Sequence, residues 1–103
     1  MKIYISILLL GFSLVANAQH KITGTVTNTQ NNPLFGVDVY IEELQKGTST
    51  DENGYYELTN LPNTSIKITV AFIGYETQTK ISNLQELETV LDFKLIESIF
   101  KME

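Results

Sequence analysis

At 103 residues, with a formal charge of −5 and an isoelectric point near 4.7, the chain has room for one small domain and no second core. Its seven Lys and Arg residues form no cluster, which excludes nucleic acid and anionic membrane surfaces as natural partners, since both call for basic patches. There is no cysteine, so a disulfide framework and a thiolate metal site are excluded and stability must come from packing.

The N-terminus reads as a secretory signal peptide over residues 1–18. Met1-Lys2 supplies the positive start, Ile3 to Val15 is an almost unbroken apolar run, and Ala16-Asn17-Ala18 is a small-x-small cleavage site followed by Gln19. A transmembrane anchor needs about 20 apolar residues, and this run stops short. No Cys follows it, so a lipid anchor is not expected, and no membrane span remains after cleavage. Loss of Lys2 leaves all twelve acidic residues in place, so the mature chain is one unit more negative. The working protein is expected outside the cytoplasm, periplasmic or outer-membrane associated, or secreted.

Beyond the signal the apolar residues recur every second position, the period of a strand with one wet face. Ile22, Gly24 and Val26 share one face of a first strand and Lys21, Thr23, Thr25 and Thr27 the other. Asn28 to Pro33 is an Asn-rich loop, and Pro33 cannot donate to a ladder. A second strand runs from Val37 to Glu42, and Lys46-Gly47 is expected to break it from Thr48-Ser49-Thr50. In Thr50-Asp51-Glu52-Asn53-Gly54-Tyr55 the Asp can cap its own backbone and Gly54 can take a positive φ, a hairpin signal. Tyr56 and Leu58 face inward on the next strand. After Leu61-Pro62-Asn63, the stretch Ile66 to Phe72 repeats the alternation and ends at Gly74. Glu76 to Lys80 reads as a polar edge strand, Ile81 to Glu88 as the one place for a helical turn, and Thr89 to Leu95 as the last strand.

Seven short strands at regular spacing, separated by turn signals, predict an all-β, seven-stranded antiparallel β-sandwich over residues 19–96. Its expected core is Ile22, Val26, Val37, Val39, Ile41, Tyr56, Leu58, Ile66, Ile68, Val70, Phe72, Leu91, Phe93 and Leu95, where two inner faces interdigitate. A domain of about 85 residues buries roughly 60–65 % of its unfolded surface, so no deep pocket is expected.

No catalytic, cofactor-binding or metal-binding residue is assigned. Asp51-x-Asn53-Gly54 matches only the start of a calcium loop, and the position that should hold a bidentate Glu is Pro62. His20, the lone histidine, reads as a solvated residue, and with no Cys it can build neither a zinc site nor a nucleophile–base pair. The acidic pairs Glu42 and Glu43, Asp51 and Glu52, and Glu86 and Glu88 sit in strand ends and loops, the place of solvated charges rather than of a general acid and base. Ser49, Ser65, Ser82 and Ser98 lack a nucleophile-elbow context and a second histidine. Asn63-Thr64-Ser65 matches a glycosylation acceptor but is explained by its turn. Tyr40 and Tyr55 fall on the outward phase of their strands and Phe35 in a loop, where exposed aromatics can stack on a sugar or anchor a partner.

Taken together, Gly24-Thr25-Val26, Pro33-Leu34, Gly36-Val37, Val39, Ile41, Gly47-Thr48, Thr50-Asp51, Asn53-Gly54-Tyr55, Leu58, Leu61-Pro62 and Phe72-Ile73-Gly74-Tyr75 resemble the carboxypeptidase regulatory-like domain, across almost the whole mature chain. The resemblance implies a transthyretin-like sandwich, similar to the domain ahead of the plug in SusC-like, TonB-dependent outer-membrane receptors of Bacteroidetes-type bacteria. Two turns depart from that pattern: Glu43-Leu44 stands where the family often has Gly-Thr, and Pro62-Asn63-Thr64 where it often has Pro-x-Gly. Residues 97–103, continuing from Leu95-Ile96, resemble the exit segment that in such receptors precedes the TonB-read box. The resemblance implies a non-catalytic exported interaction module in nutrient uptake or its regulation, with a partner in the envelope such as a receptor plug and barrel or the TonB system. The alternative is a free-standing secreted adhesion or carbohydrate-binding domain using Tyr40 or Tyr55, with a glycan as partner.

Overall fold

The structure, a computed structural model, describes residues 19–99; the expected signal segment and residues 100–103 lie outside the described residues. Eight strands follow one another: β1 His20–Thr27, β2 Asp38–Ile41, β3 Lys46–Ser49, β4 Tyr55–Leu61, β5 Ser65–Ala71, β6 Gln78–Asn83, β7 Glu88–Val90 and β8 Phe93–Lys94. They form two four-stranded sheets. In one, β1 lies between β4 on one side and β7 and β8 on the other; in the other the order is β3-β2-β5-β6. The period of two sets this layering directly. Val39 and Ile41 on β2, Ile66, Ile68 and Val70 on β5, and Ile22 and Val26 on β1 all point into one buried cluster.

The expected last strand is divided into β7 and β8, and Gly24 shows why. The Leu91 carbonyl turns inward between the two pieces and accepts the Tyr56 hydroxyl. A Cβ on Gly24 would lie 2.0 Å from that oxygen, so only glycine admits it. Asp92 fills the gap from the other side, its Oδ1 accepting from Thr25 N at 2.8 Å. Both β7 and β8 pair with β1 in parallel, whereas the other ladders are antiparallel. Direction follows from entry: Lys21 N donates to Leu87 O, so the returning chain meets β1 at its beginning and must run with it.

The Asp51 turn forms as read, with Asp51 Oδ1 accepting from Asn53 N at 2.8 Å and Tyr55 N at 3.0 Å. Gly54 closes it at φ +75°, its backbone so near Val26 O that a Cβ would sit at 2.6 Å. It is not a hairpin, however: β3 pairs with β2 and β4 with β1, so the turn carries the chain from one sheet to the other. Lys46-Gly47 likewise does not break a strand but begins β3, with Gly47 opposite Tyr40 and Lys46 opposite Ile41. The helical turn lies at Glu42–Leu44, ended by Gln45 in the left-handed region at φ +52°, and not in 81–88. There the ladder continues to Asn83, because Ile81 and Asn83 find partners in Lys67 and Ser65.

The expected core is buried except Phe72 and Leu91, which pack against it half-exposed; Leu61 and Leu84 complete it. Phe72 leaves the sheet at the end of β5 and stacks on Tyr75 at 5.6 Å. Thr50, 2 % exposed, ties the Pro33–Gly36 loop to the sandwich: its hydroxyl donates to Leu34 O and accepts from Val37 N.

Candidate interaction surface

The residues with conventional chemistry do not converge. Among the described residues no three His, Cys, Asp or Glu side chains gather as metal ligands. Asp51 spends an oxygen on its own turn, and Pro62 lies at the far end of β4, about 20 Å of strand away. His20 is a correction: it is 7 % exposed, held by Nδ1 against the Glu86 carbonyl at 2.5 Å, because the incoming β7 loop covers the start of β1. The acidic pairs named above are exposed. Among the described residues Tyr56 is the one strongly perturbed group, its phenol pushed well above the ordinary value by burial and secondarily by the nearby Asp92 charge; it serves the Gly24 seam.

Polar chemistry gathers instead on the two flanks where the sheets meet edge to edge. On one flank, Lys46 of β3 reaches across to the carbonyls of Thr59 (3.1 Å) and Asn60 (3.0 Å). On the other, Glu76 N donates to Ile96 O at 2.8 Å, then Gln78 Nε2 reaches Lys94 O at 2.5 Å and Lys80 Nζ reaches Asp92 O at 2.6 Å. The Lys80 ammonium also lies 4.7 Å over the Phe93 ring. Lys46 and Lys80 stand opposite the inward Ile41 and Ile68 in their ladders. A lysine on the inward phase of an edge strand is the sequence signal for such a bridge, one that period-two alternation alone does not reveal.

Apolar surface gathers at one end. Tyr75 N donates to Phe72 O, closing a tight turn that thrusts out Ile73, 90 % exposed. Residues 96–98 fold back onto this turn through the Tyr75–Glu97 bridge and Ser98 N to Gly74 O at 2.9 Å. That brings Ile96 and Ile99, the latter 84 % exposed, to the same end. A shallow depression lined by Gly36, Asp38, Ala71, Phe72, Ile73 and Thr77 joins this turn to the loop of Phe35, 64 % exposed. Exposed apolar side chains gathered at one end are the kind of surface that serves as a contact.

The two outward tyrosines are not brought together. Tyr40, 36 % exposed, lies on the outer face of the β3-β2-β5-β6 sheet, and Tyr55, 41 % exposed, on the strand β4 of the other sheet.

A two-sheet β-sandwich with bridged flanks and an apolar end defines the class, a small β-sandwich domain. The chain belongs to the CarboxypepD_reg-like domain family, whose profile matches residues 22–103. Over 62 residues it is 39 % identical to TonB-dependent receptor P39 of Formosa agariphila, a match that covers 60 % of this chain but spans only 6 % of that receptor's length. Among solved structures, a chain of a type II cohesin–X-dockerin complex from Acetivibrio cellulolyticus superposes with a TM-score of 0.63 at 17 % identity, covering 74 % of this chain and 56 % of that one. The Bacillus anthracis TIE protein gives 0.64 at 22 % identity, with 79 % and 17 % covered. The 3-chlorocatechol 1,2-dioxygenase of Rhodococcus opacus 1CP gives 0.62 at 15 % identity, with 81 % and 61 % covered. Identities this low show the fold alone, and a fold shared by an enzyme and by binding proteins does not decide function. Among the described residues no helix is long and apolar enough to cross a membrane.

Proposed function

We propose that this chain is a non-catalytic, exported interaction module akin to the N-terminal extension of a TonB-dependent outer-membrane receptor, acting in nutrient uptake or its regulation. The observation that carries the reading is the 39 % identity with such a receptor within a chain of the CarboxypepD_reg-like family. The apolar end supports it: Ile73, Ile96 and Ile99 gather where the chain leaves the sandwich, which suits contact with an envelope protein. Its work is contact, and its domain limits are the signal peptide 1–18, the sandwich 19–96 and the exit segment 97–103. A pull-down from envelope extract with residues 19–103, against a version cut after Leu95, tests this. Enrichment of outer-membrane or TonB-system proteins that is lost on cutting supports the reading; equal binding by both, or none, counts against it.

A second reading, a glycan-binding or adhesion domain, is favoured by the two exposed tyrosines on strand faces. Retention of the chain by a polysaccharide would support it, and a blank glycan array would remove it.

A further inference from the structure

We propose that the outer face of the β3-β2-β5-β6 sheet is a platform for a neutral polysaccharide, centred on Tyr40. The inference rests on the glycan-binding reading above and confines it to one sheet and one ligand class; it holds whether or not the module belongs to a receptor.

The ladder register assembles the platform. Gly47, Tyr40, Thr69 and Thr79 lie in one row across the four strands, and Ser49, Asp38 and Ala71 in the next outward row. Tyr40 is therefore the one aromatic of these two rows, among small residues and Asp38, with the longer Lys67 and Ile81 in the row beyond Thr69 and Thr79. Opposite Tyr40, Gly47 carries no side chain, and the backbone there is so close that a Cβ would lie 3.2 Å from Tyr40 Cβ. A shallow depression remains beside the ring, lined by Asp38, Tyr40, Gly47, Thr48 and Ser49.

This arrangement matches what a pyranose offers. Its C–H face packs on an aromatic ring, and its hydroxyls need acceptors and donors a few ångströms to the side. The Asp38 carboxylate and the Ser49 hydroxyl stand along the depression, and the Thr69 and Thr79 hydroxyls, 3.2 Å apart, lie on the other side of the ring. Charge selects among sugars. The chain carries a net −5 and Asp38 lines the depression itself, while Lys67, one outward row beyond Thr69, lies outside it, so uronates and sulfated glycans are disfavoured at the Tyr40 depression relative to uncharged chains.

Tyr55 has no such surroundings. It pairs with Thr25, whose N–H and hydroxyl are already spent on Asp92, and the Lys21–Glu57 ion pair at 3.3 Å occupies the same strands. The polar groups there are satisfied among themselves, whereas beside Tyr40 the Asp38 and Ser49 side chains are exposed, and the Thr69 and Thr79 hydroxyls, bonded to each other, keep acceptor capacity to spare.

Affinity gel electrophoresis of residues 19–103 in gels cast with a neutral polysaccharide panel (starch, xylan, mannan and mixed-linkage β-glucan) and with alginate as the anionic comparison tests the platform. The expected result is retardation by at least one neutral polymer and none by alginate. Tyr40→Ala should weaken that binding by about tenfold or more, Asp38→Asn should weaken it to a lesser degree, Tyr40→Phe should retain it, and Tyr55→Ala should leave it unchanged. Tyr40→Phe and a thermal melt guard against a folding artefact. Binding lost in Tyr55→Ala but kept in Tyr40→Ala overturns the platform and leaves the glycan-binding reading standing. Retardation by alginate alone overturns the neutral ligand class, and no retardation by any polymer overturns both.

Discussion

The two flanks of the sandwich do the same task by different means. On the β3/β4 flank the strands are joined by the five-residue Asp51–Tyr55 turn, and one lysine, Lys46, spans the gap to two carbonyls beyond it. On the β6/β8 flank the contact begins backbone to backbone at Glu76 and Ile96, then widens to amide length at Gln78 and to ammonium length at Lys80. There the fastening is also internal, through Gly24, the Leu91 carbonyl and Tyr56. Where a short covalent turn holds two edges, one bridge suffices; where the second edge returns after a long excursion, a graded series and a buried anchor are needed.

Substitutions can break this comparison, the largest effect first. Gly24→Ala should collapse the β6/β8 flank, because the new methyl and the Leu91 oxygen cannot share the space; a loss of about 3 kcal/mol is expected in urea unfolding. A change comparable to a surface substitution would mean that the seam can relax.

Tyr56→Phe removes the hydroxyl from the same seam and leaves the Leu91 carbonyl without that donor. It should cost about 1–2 kcal/mol at neutral pH. The pH dependence has a definite sign. The folded phenol holds its proton to higher pH than the unfolded one, whose ordinary value is 10.0, so this contribution is intact below pH 10 and is lost as pH rises beyond it. Melts of wild type and Tyr56→Phe should therefore converge above pH 10, and parallel curves there would contradict the assignment.

The bridges come next. Lys80→Met should cost about 1 kcal/mol, combining the bond to Asp92 O with the contact over Phe93, and Lys46→Met slightly less. Because the flanks lie on opposite sides of the sandwich, the double variant should show additive losses. Strong coupling would show that the two flanks open together.

The smallest effect belongs to the Lys21–Glu57 pair, on the outer surface and away from both flanks. Its hydrogen bond to Glu57 raises the Lys21 pKa, yet the ammonium is solvent-exposed, so Glu57→Gln should leave the melting midpoint unchanged within error at physiological salt.

How much of this was legible in the sequence depends on range. Period two identified the inward phase of β1, β2, β4 and β5, and the Asp51 and Gly54 chemistry identified the turn. Turn chemistry is local, though, and says nothing about which sheet the next strand joins, so a sheet-to-sheet crossing was read as a hairpin. Leu84 lies in the stretch expected to hold a helical turn, and it is buried where the Leu84 N to Thr64 O bond draws the loop inward. His20 was read as solvated because its cover, the Glu86–Leu87 loop, is distant in sequence. The apolar end was half visible: residues 97–103 stood out, but the exposure of Ile73 required seeing the turn. The outward phase of Tyr40 and Tyr55 was legible, whereas their separation onto different sheets was not.

The parallel pairing of β8 with β1 also has a mechanical meaning. A pull between the N-terminal side of β1 and the chain beyond β8 drags the two strands past one another along their length, so their shared bonds must fail together. The ladder of residues 96–98 on Gly74 and Glu76 is loaded differently and peels one bond at a time. Under tension residues 96–98 should therefore come away at low force, while the sandwich itself stays folded to much higher load.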